Sequence, residues 1–264
     1  MEKSAMTKFT KNKLTIHFYE KCLQSSLKKN IILLILLMVS IIKVEAQTNL
    51  IYNGSLEEKR YCPEDIAIVT TIQGWYSPTE GTPDVFCRGC TDIMHDSVVP
   101  INHAGCQEPA SGDNYGLIST TGLEDYREYL GVKLTYPYLK KDSLYAFEIK
   151  FSLCDCSGAV CRDCIMVAFA DSVVRSNTIG VLPLKPAIVF DTLVADTKNW
   201  ITLKGQYRAS GKENIVIVGN FKSNKETTYF YRKYKSKCDK GKDIGATSGS
   251  SYYIDDLKMY KVSE

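Results

Sequence analysis

The sequence predicts an all-β domain, a sandwich of two antiparallel sheets that follows an N-terminal leader helix. Three observations lead to this prediction: an apolar run near the start, short segments of period-two hydrophobicity along the rest of the chain, and turn residues between those segments. No segment carries a long apolar stripe with a period of 3.6 residues, so helices between the strands are not expected. Many short strands without intervening helices are typical of a β-sandwich rather than a parallel α/β sheet.

The leader is assigned to residues 1–46. Lys28 and Lys29 precede an apolar run from Ile31 to Val39, and the small residue Ala46 ends the segment. This order is typical of a secretory signal peptide, and the apolar run is shorter than the roughly 20 residues that a membrane span needs. We therefore expect cleavage after Ala46 and export to the periplasm, the cell surface or the extracellular space. The alternative is that the leader is not cleaved. We expect the chain to contact a membrane only in that case, and only through the leader.

The positive charge of the chain lies in its leader. The full sequence has 33 basic and 30 acidic residues, and the leader alone holds eight lysines and three glutamates. Residues 47–264 therefore keep 25 basic and 27 acidic residues and are nearly neutral. A nucleic-acid partner, which requires a clustered positive face, is not expected. The segment of residues 47–264 is long enough for one β-sandwich, and it is therefore predicted to form a single domain.

The strands are predicted from the alternation of apolar and polar residues. "LYAFEIKFSL" (Leu144 to Leu153) places five apolar side chains on one face, and "NWITLKGQYRA" (Asn199 to Ala209) alternates in the same way. The segments "REYLGVKL", "CIMVAFA" and "NIVIVGNF" are short, apolar and bounded by turn residues. Such patterns indicate half-buried or fully buried strands. The polar stretch from Phe221 to Ser251 is predicted to be a long surface excursion before the last strand.

Six stretches of residues 47–264 form an ordered set of motifs. They are "NLIYNGSLEE" (Asn49 to Glu58), "GWYSPTEGTPDVF" (Gly74 to Phe86), "NHAGCQEPASGDNYGLI" (Asn102 to Ile118), "REYLGVKL" (Arg127 to Leu134), "NWITLKGQYRASGKENIVIVGNF" (Asn199 to Phe221) and "SYYIDDLKMY" (Ser251 to Tyr260). Read in this order, they resemble the amino-terminal jelly-roll module of exported and outer-membrane-associated proteins of gliding-type bacteria. That module is similar to carbohydrate-binding modules and galactose-binding-like domains. The resemblance therefore implies a jelly-roll β-sandwich over nearly all of residues 47–264. It implies less about function, because jelly rolls serve glycan binding, adhesion and scaffolding alike.

The resemblance also implies a metal ion. In the wider group of carbohydrate-binding jelly rolls, a calcium ion commonly ties the first strand to the last. The matching residues here are Glu57, Asp255 and Asp256. Calcium binds several carboxylate and carbonyl oxygens at once, which two converging strand ends can supply. We therefore expect a structural calcium ion as the one cofactor, and the alternative is a set of solvated edge carboxylates.

Glycan binding in such folds uses aromatic faces, against which sugar rings pack, and polar groups that fix the hydroxyls. The candidates are aromatic and amide side chains in or beside predicted loops. They are Trp75, Tyr76, Gln107, Asn114, Tyr115 and Trp200. For both tryptophans the alternative is an aromatic side chain that packs in the core.

No catalytic motif is present in residues 47–264. Two histidines remain, His95 and His103, and the sequence has no G-x-S-x-G, H-E-x-x-H or glycine-rich phosphate loop. We therefore expect a secreted or cell-surface, non-enzymatic module that binds carbohydrate or another envelope polymer. The alternative is a structural or protein-binding envelope or adhesion component without glycan binding.

Nine of the ten cysteines lie after the leader. Two of the pairs, Cys87/Cys90 and Cys161/Cys164, have the C-x-x-C spacing that would suit a zinc site in a cytosolic protein. Export favours disulfides instead, because thiols pair in an oxidising compartment. A zinc-bound module is the alternative.

Four cysteines fall within "CDCSGAVCRDC". We expect this segment to connect two strands like a hairpin, with Cys154 and Cys156 cross-linked to Cys161 and Cys164. Bridges across such small loops stabilise less than bridges across long ones.

The remaining cysteines are Cys62, Cys87, Cys90, Cys106 and Cys238. The resemblance implies a bridge from Cys62 to either Cys87 or Cys90. Because the count is odd, at least one thiol is expected to stay free or to bond another chain, with Cys238 and Cys106 as the candidates.

Overall fold

The computed structural model describes residues 24, 27–31, 47–63, 69–90, 98–135, 139–234 and 247–262. Within the leader, residues 24 and 27–31 are helical. The chain divides into two compact units, Met1–Ala46 and Gln47–Glu264. In the part of the chain that is described, no helix is long and apolar enough to cross a membrane. Cleavage after residue 46 stays a prediction.

Two five-stranded antiparallel sheets form most of the domain. In hydrogen-bonded order, sheet I consists of β1 (Trp75–Tyr76), β6 (Leu130–Lys133), β12 (Ile215–Gly219), β9 (Ile165–Ala170) and β10 (Ile188–Phe190). Sheet II consists of β11 (Ile201–Arg208), β7 (Leu144–Leu153), β14 (Ser251–Lys261), β5 (Asn114–Ser119) and β2 (Asp84–Cys87). From β5 through β9 the long strands alternate between the two sheets, as in a jelly roll. The predicted all-β jelly-roll sandwich is confirmed.

The smaller elements lie outside the two sheets. They are the pair β3 (Ile101–Asn102) and β4 (Gly105–Cys106), the pair β8 (Ala159–Cys161) and β13 (Tyr229–Tyr231), and the short 3-10 turns Val69–Thr71 and Leu123–Asp125.

The main core lies between the sheets. In β7 the side chains of Phe147, Ile149 and Phe151 are 0% exposed, which confirms the predicted alternation. Fully burying a large apolar side chain stabilises a fold by roughly 1.5–3 kcal/mol. All five residues of β12 are buried. Sheet I therefore also packs on its outer face, where Ile217 and Met166 lie in a second cluster with Tyr129.

The predicted surface excursion from Phe221 to Ser251 is only partly correct. Within it, β13 pairs with β8, so that Tyr229 lies opposite Cys161. This long-range pairing also takes the place of the predicted hairpin-like connection between β7 and β9. The described remainder of this stretch is without regular strands up to β14.

The disulfides confirm one predicted pairing. Cys62 bonds Cys90, which is one of the two partners that the resemblance left open. Cys87, the other, is a buried free thiol.

The predicted cross-links of Cys154 and Cys156 to the second C-x-x-C pair are wrong. Cys161 bonds Cys164, and both lie in the core between the sheets. Cys154 and Cys156 are buried free thiols that pack on the outer face of sheet II. The two pairs are separated because β8 is drawn into its pairing with β13.

The other cysteine predictions resolve in part. Cys106 is disulfide-bonded, so its assignment as the odd free thiol is wrong. Cys238 lies outside the described residues, as does His95. The zinc alternative loses three of its four C-x-x-C ligands, because Cys90, Cys161 and Cys164 are disulfide-bonded and have no thiolate to offer.

Replacing both Cys62 and Cys90 by serine is expected to lower the free energy of unfolding by about 3 kcal/mol. The bridge closes a sequence separation of 28 residues, so its loss releases considerable loop entropy in the unfolded chain. Urea denaturation of the variant and the wild type measures the difference. The matched control replaces Cys161 and Cys164, whose separation is 3 residues, and should cost about 2 kcal/mol. An equal or larger cost for this control contradicts the loop-entropy argument.

Candidate functional site

The six predicted ligand residues do not form one surface. Trp75 and Tyr76 lie in β1 at 3% and 8% exposure. The indole Nε1 of Trp75 donates to the Asn53 carbonyl at 2.9 Å. The guanidinium of Arg175 lies over the Tyr76 ring, 4.8 Å from its centroid. Trp75 packs in the core, as the alternative interpretation of this tryptophan has it.

Three of the six residues do meet, on the outer face of sheet II. The Tyr115 hydroxyl donates to the Gln107 carbonyl at 2.9 Å, and its ring packs edge-on against Trp200 at 5.9 Å. The Trp200 indole donates to the Glu108 carbonyl at 2.8 Å. Tyr115 and Gln107 are buried, and Trp200 is partly buried. This cluster is covered by the chain around β3 and β4, so a role of these residues in ligand binding stays a prediction.

Asn114 belongs to a separate network that also contains a predicted calcium ligand. The Glu57 carboxylate accepts bonds from the backbone N–H groups of Asp113 at 3.1 Å and Asn114 at 3.0 Å. On the other side of the same loop, the Asp255 carboxylate accepts from the N–H groups of Ala110 at 2.9 Å and Ser111 at 3.0 Å. The two carboxylates thus hold one loop by its backbone.

Asp256, the third predicted calcium ligand, is engaged by lysines. Its Oδ2 lies 2.8 Å from Lys258 Nζ and 3.1 Å from Lys150 Nζ. Within the described ranges, no cluster of three or more His, Cys, Asp or Glu side chains is placed to hold a metal ion. The structural calcium ion stays a prediction.

Two connected concavities lie at one end of sheet II. The first, which we call the tyrosine groove, consists of two adjoining cavities that share Thr121 to Glu124 and Ser248 to Gly249. One, of about 170 Å³, is also lined by Asn224, Tyr229 and Tyr231. The other, of about 420 Å³, is also lined by Ser119, Tyr126, Ile179, Thr247 and Ser251. The second, which we call the thiol pocket, is about 260 Å³ and is lined by Asp84, His103, Glu128, Cys156, Thr247 and Ser251. Ser119, Thr247 and Ser251 line both, so the pocket continues the groove.

The walls of the tyrosine groove are aromatic and apolar. Tyr231 is 77% exposed and Leu123 is 75% exposed. The rings of Tyr229 and Tyr231 meet nearly perpendicularly, with centroids 5.5 Å apart. Both residues are in β13, whose pairing with β8 fixes their positions. The groove therefore presents aromatic side chains on an ordered strand.

The opposite wall is organised by Arg127, whose side chain is 0% exposed. Its guanidinium donates to the Lys222 carbonyl at 2.8 Å, to the Tyr126 carbonyl at 2.8 Å and to Asn224 Oδ1 at 2.9 Å. Asn224 Nδ2 in turn donates to the Gly122 carbonyl at 2.7 Å. One buried side chain thus joins the two loops that form the rim of the groove.

The floor of the groove requires a glycine. A Cβ on Gly249 would lie 1.7 Å from the Thr121 carbonyl oxygen, which is far inside van der Waals contact. The Ser250 N–H donates to Thr121 Oγ1 at 2.9 Å and holds the two segments together. This close approach gives the groove its depth.

Glu128 contributes a buried carboxyl to the thiol pocket. Burial raises its pKa from 4.5 to about 7, although its hydrogen bonds favour the charged form. Its carboxylate accepts from the Tyr126 hydroxyl and from the Ser119 N–H, both at 2.7 Å. Across the pocket, His103 Nε2 lies 3.3 Å from Asp84 Oδ2. The pocket therefore combines acid, imidazole and thiol groups in one partly enclosed space.

Sequence reasoning missed both concavities. Their residues come from segments that are far apart in the chain, around positions 84, 103, 122, 156, 230 and 248. One signal was available: in "TTYFYRKY" the tyrosines Tyr229 and Tyr231 recur with period two within a polar stretch. Such a pattern indicates a strand with one aromatic face.

Comparisons with known proteins give structural neighbours alone. No family model matches the sequence, and no curated protein matches it. The CBM22-1 xylan-binding domain of Paenibacillus barcinonensis Xyn10C is 12% identical, with 84% of this chain and 99% of that chain covered and a TM-score of 0.40.

Two further neighbours differ from each other in activity. The C-terminal family 22 carbohydrate-binding module of Clostridium thermocellum Xyn10B is 14% identical, covers 74% of this chain and 91% of its own, and has a TM-score of 0.36. The enzymatically active domain of bacteriophage CBA120 tailspike protein 4 is 7% identical, covers 81% of this chain and 21% of its own, and also has a TM-score of 0.36. Similarities at these TM-scores carry no argument about the site or its function.

Proposed function

We propose that this protein is an exported, non-enzymatic carbohydrate-binding module that holds a glycan in the tyrosine groove. The observation that carries the proposal is the aromatic wall formed by Tyr231 and Tyr229 on a cavity of about 170 Å³, which shares Thr121 to Glu124 with an adjoining cavity of about 420 Å³. Cavities of roughly 300–1,000 Å³ with apolar walls and a few polar groups are typical of small-ligand sites. A glycan is proposed because its sugar rings pack flat on aromatic faces.

The polar groups of the groove suit the hydroxyls of such a ligand. Glu124 and Asn224 stand on the rim, and Thr121 and Ser248 line the interior. Glu124 has a φ of 53°, a left-handed conformation that costs energy for a residue with a side chain. The bonds of Arg127 and Asn224 hold this loop in place before a ligand arrives, which reduces the entropic cost of binding.

Export is supported by the disulfides. Cys62–Cys90 and Cys161–Cys164 are both buried or partly buried structural pairs of a kind that forms in oxidising compartments. An envelope or extracellular polymer is therefore the proposed class of glycan. A screen of bacterial, host and plant polysaccharides by pull-down and glycan array tests this proposal. If none of the polymers in the screen binds, the proposal is overturned and the protein-binding alternative is favoured.

Replacing Tyr231 by alanine is expected to weaken binding to the glycan found in that screen about tenfold. Loss of one aromatic stacking contact removes on the order of 1.4 kcal/mol, which corresponds to that factor. Isothermal titration calorimetry measures the change. Tyr61, which is 53% exposed and outside the groove, supplies the control, and Tyr61→Ala should bind like the wild type. Equal affinities for both variants would place the glycan elsewhere.

A further inference from the structure

One wall of the thiol pocket belongs to a pair of thiols that glycan binding does not use. Cys154 and Cys156, two residues apart, are free and buried, and both lie in the cluster on the outer face of sheet II. Both backbones are fixed: the Cys154 N–H donates to the Ser251 carbonyl and the Cys156 N–H to the Ala104 carbonyl, each at 3.1 Å. Cys156 lines the cavity of about 260 Å³. Cys156 therefore faces an opening, and Cys154 lies two residues away in the same buried cluster.

The surroundings make the two thiols chemically unequal. The hydrogen bond from Cys154 lowers the pKa of Cys156 against the effect of burial, and His103 and Thr247 lower it further. Burial raises the pKa of Cys154 well above its ordinary value. His103 is oriented by Asp84, at 3.3 Å. The thiolate is the nucleophile in disulfide exchange, so the sulfur that faces the cavity is the reactive one.

We propose that Cys154 and Cys156 are a redox-active dithiol that exchanges with small organic disulfides entering the thiol pocket. The Cys156 thiolate attacks one sulfur of R–S–S–R, the S–S bond breaks, and RS⁻ leaves. The Cys154 thiol then gives its proton to the released RS⁻ and attacks the sulfur of Cys156, which expels the second RS⁻. Two protein thiols are oxidised to one disulfide, R–S–S–R is reduced to two thiols, and the two protein protons end on these products.

A third free thiol supplies the comparison within the same chain. Cys87 is buried in the core, does not line the thiol pocket, and burial raises its pKa to about 11. Cys87 is exposed to the same solution conditions as Cys156. Unlike Cys156, it has neither an imidazole nor a second thiol among the groups that shift its pKa. Cys87 is therefore expected to be inert under conditions that convert the dithiol.

The test equilibrates the full chain with 2-mercaptoethanol and its disulfide at a series of ratios, followed by alkylation and peptide mass spectrometry. The Cys154–Cys156 bond is expected to form and break reversibly while Cys62–Cys90 stays oxidised and Cys87 stays a thiol. Cys154→Ser should stop at a mixed disulfide on Cys156. Cys156→Ser should slow the reaction of Cys154 at least 100-fold. His103→Ala should slow the first attack by Cys156, because His103 lowers the pKa of that thiol, while the fold, checked by circular dichroism, is retained.

Two results overturn the proposal. One is that Cys154 and Cys156 change state only together with Cys62–Cys90, which means that they react through unfolding. The other is that Cys87 reacts as fast as Cys156, which means that the pocket confers no reactivity. Cys87→Ser should leave the exchange unchanged, and glycan affinity is measured separately so that failure of the proposed function is distinguished from failure of the dithiol.

Discussion

Replacing Arg127 by methionine is expected to lower the free energy of unfolding by about 4 kcal/mol. Methionine preserves much of the side-chain volume, so the loss comes mainly from the hydrogen bonds. The guanidinium donates to the Lys222 and Tyr126 carbonyls and to Asn224 Oδ1, and the side chain is 0% exposed. Each acceptor that is left without a donor inside the protein costs roughly 1–3 kcal/mol. Urea denaturation, with the slope checked for two-state behaviour, measures the difference.

Arg162→Met is the matched control for this variant. Arg162 pairs with Asp191 at 2.6 Å, but both side chains are more than half exposed, at 56% and 68%. Exposed ion pairs contribute about 0–1 kcal/mol, so the control should be close to the wild type. If both arginine variants lose the same stability, burial of Arg127 is not what makes it important.

The Arg127→Met substitution is also expected to affect the tyrosine groove. Arg127 joins the loop of Gly122 to the turn of Asn224, and these two segments form the rim of the tyrosine groove. Arg127→Met is therefore expected to weaken binding of the proposed glycan at temperatures where the variant is folded, in addition to lowering its stability. By contrast, substitution of a surface residue that only contacts the ligand would reduce affinity without lowering the free energy of unfolding.

The sheets were predictable because their signal is local. In β7 the residues from Tyr145 to Leu153 alternate within a single segment, and one face of a sandwich strand must be apolar whatever its neighbours are. The fully buried strand β12 was likewise recognisable from its β-branched run. These elements follow from the chain's own pattern.

The cysteine pairing and the site depend on contacts between distant segments. Nothing near Cys161 indicates that β8 pairs with β13 some 70 residues later, yet this pairing separates Cys161 from Cys156. Similarly, the rim of the groove depends on Arg127 reaching Asn224 across the fold. In the sequence, Arg127 looks like an ordinary charged residue at the end of a strand, but in the structure it organises this rim.

Stability is expected to fall as the pH rises from about 4.5 to 7. Burial raises the pKa of Glu128 from 4.5 to about 7, and burial likewise raises the pKa of Asp255 from 3.8 to about 7. Between these limits the folded chain binds more protons than the unfolded chain, so the free energy of unfolding decreases with pH. Each carboxyl contributes a loss on the order of 3 kcal/mol, at about 1.4 kcal/mol for each unit of pKa. Urea denaturation at pH 5, 6, 7 and 8 measures the slope.

Glu213 acts in the opposite direction but outside this window. Its pKa is lowered to about 2, where hydrogen bonds from Tyr207 and Ser210 outweigh the effect of burial. Its contribution is complete above pH 4.5 and is lost as the pH falls towards 2. The slope between pH 5 and 7 therefore reports on Glu128 and Asp255 rather than on Glu213.

The variants Glu128→Gln and Asp255→Asn separate the two contributions. Glutamine removes the charge that burial disfavours but keeps an oxygen at only one of the two positions, so only one of the two donors, the Tyr126 hydroxyl or the Ser119 N–H, retains its acceptor. Each variant should flatten part of the pH dependence, because an amide does not titrate in this range, and each should lose the hydrogen bonds accepted by the oxygen that the NH2 group replaces. A wild-type stability that rises between pH 5 and 8, or an unchanged slope in both variants, would show that hydrogen bonding to these carboxylates outweighs their burial.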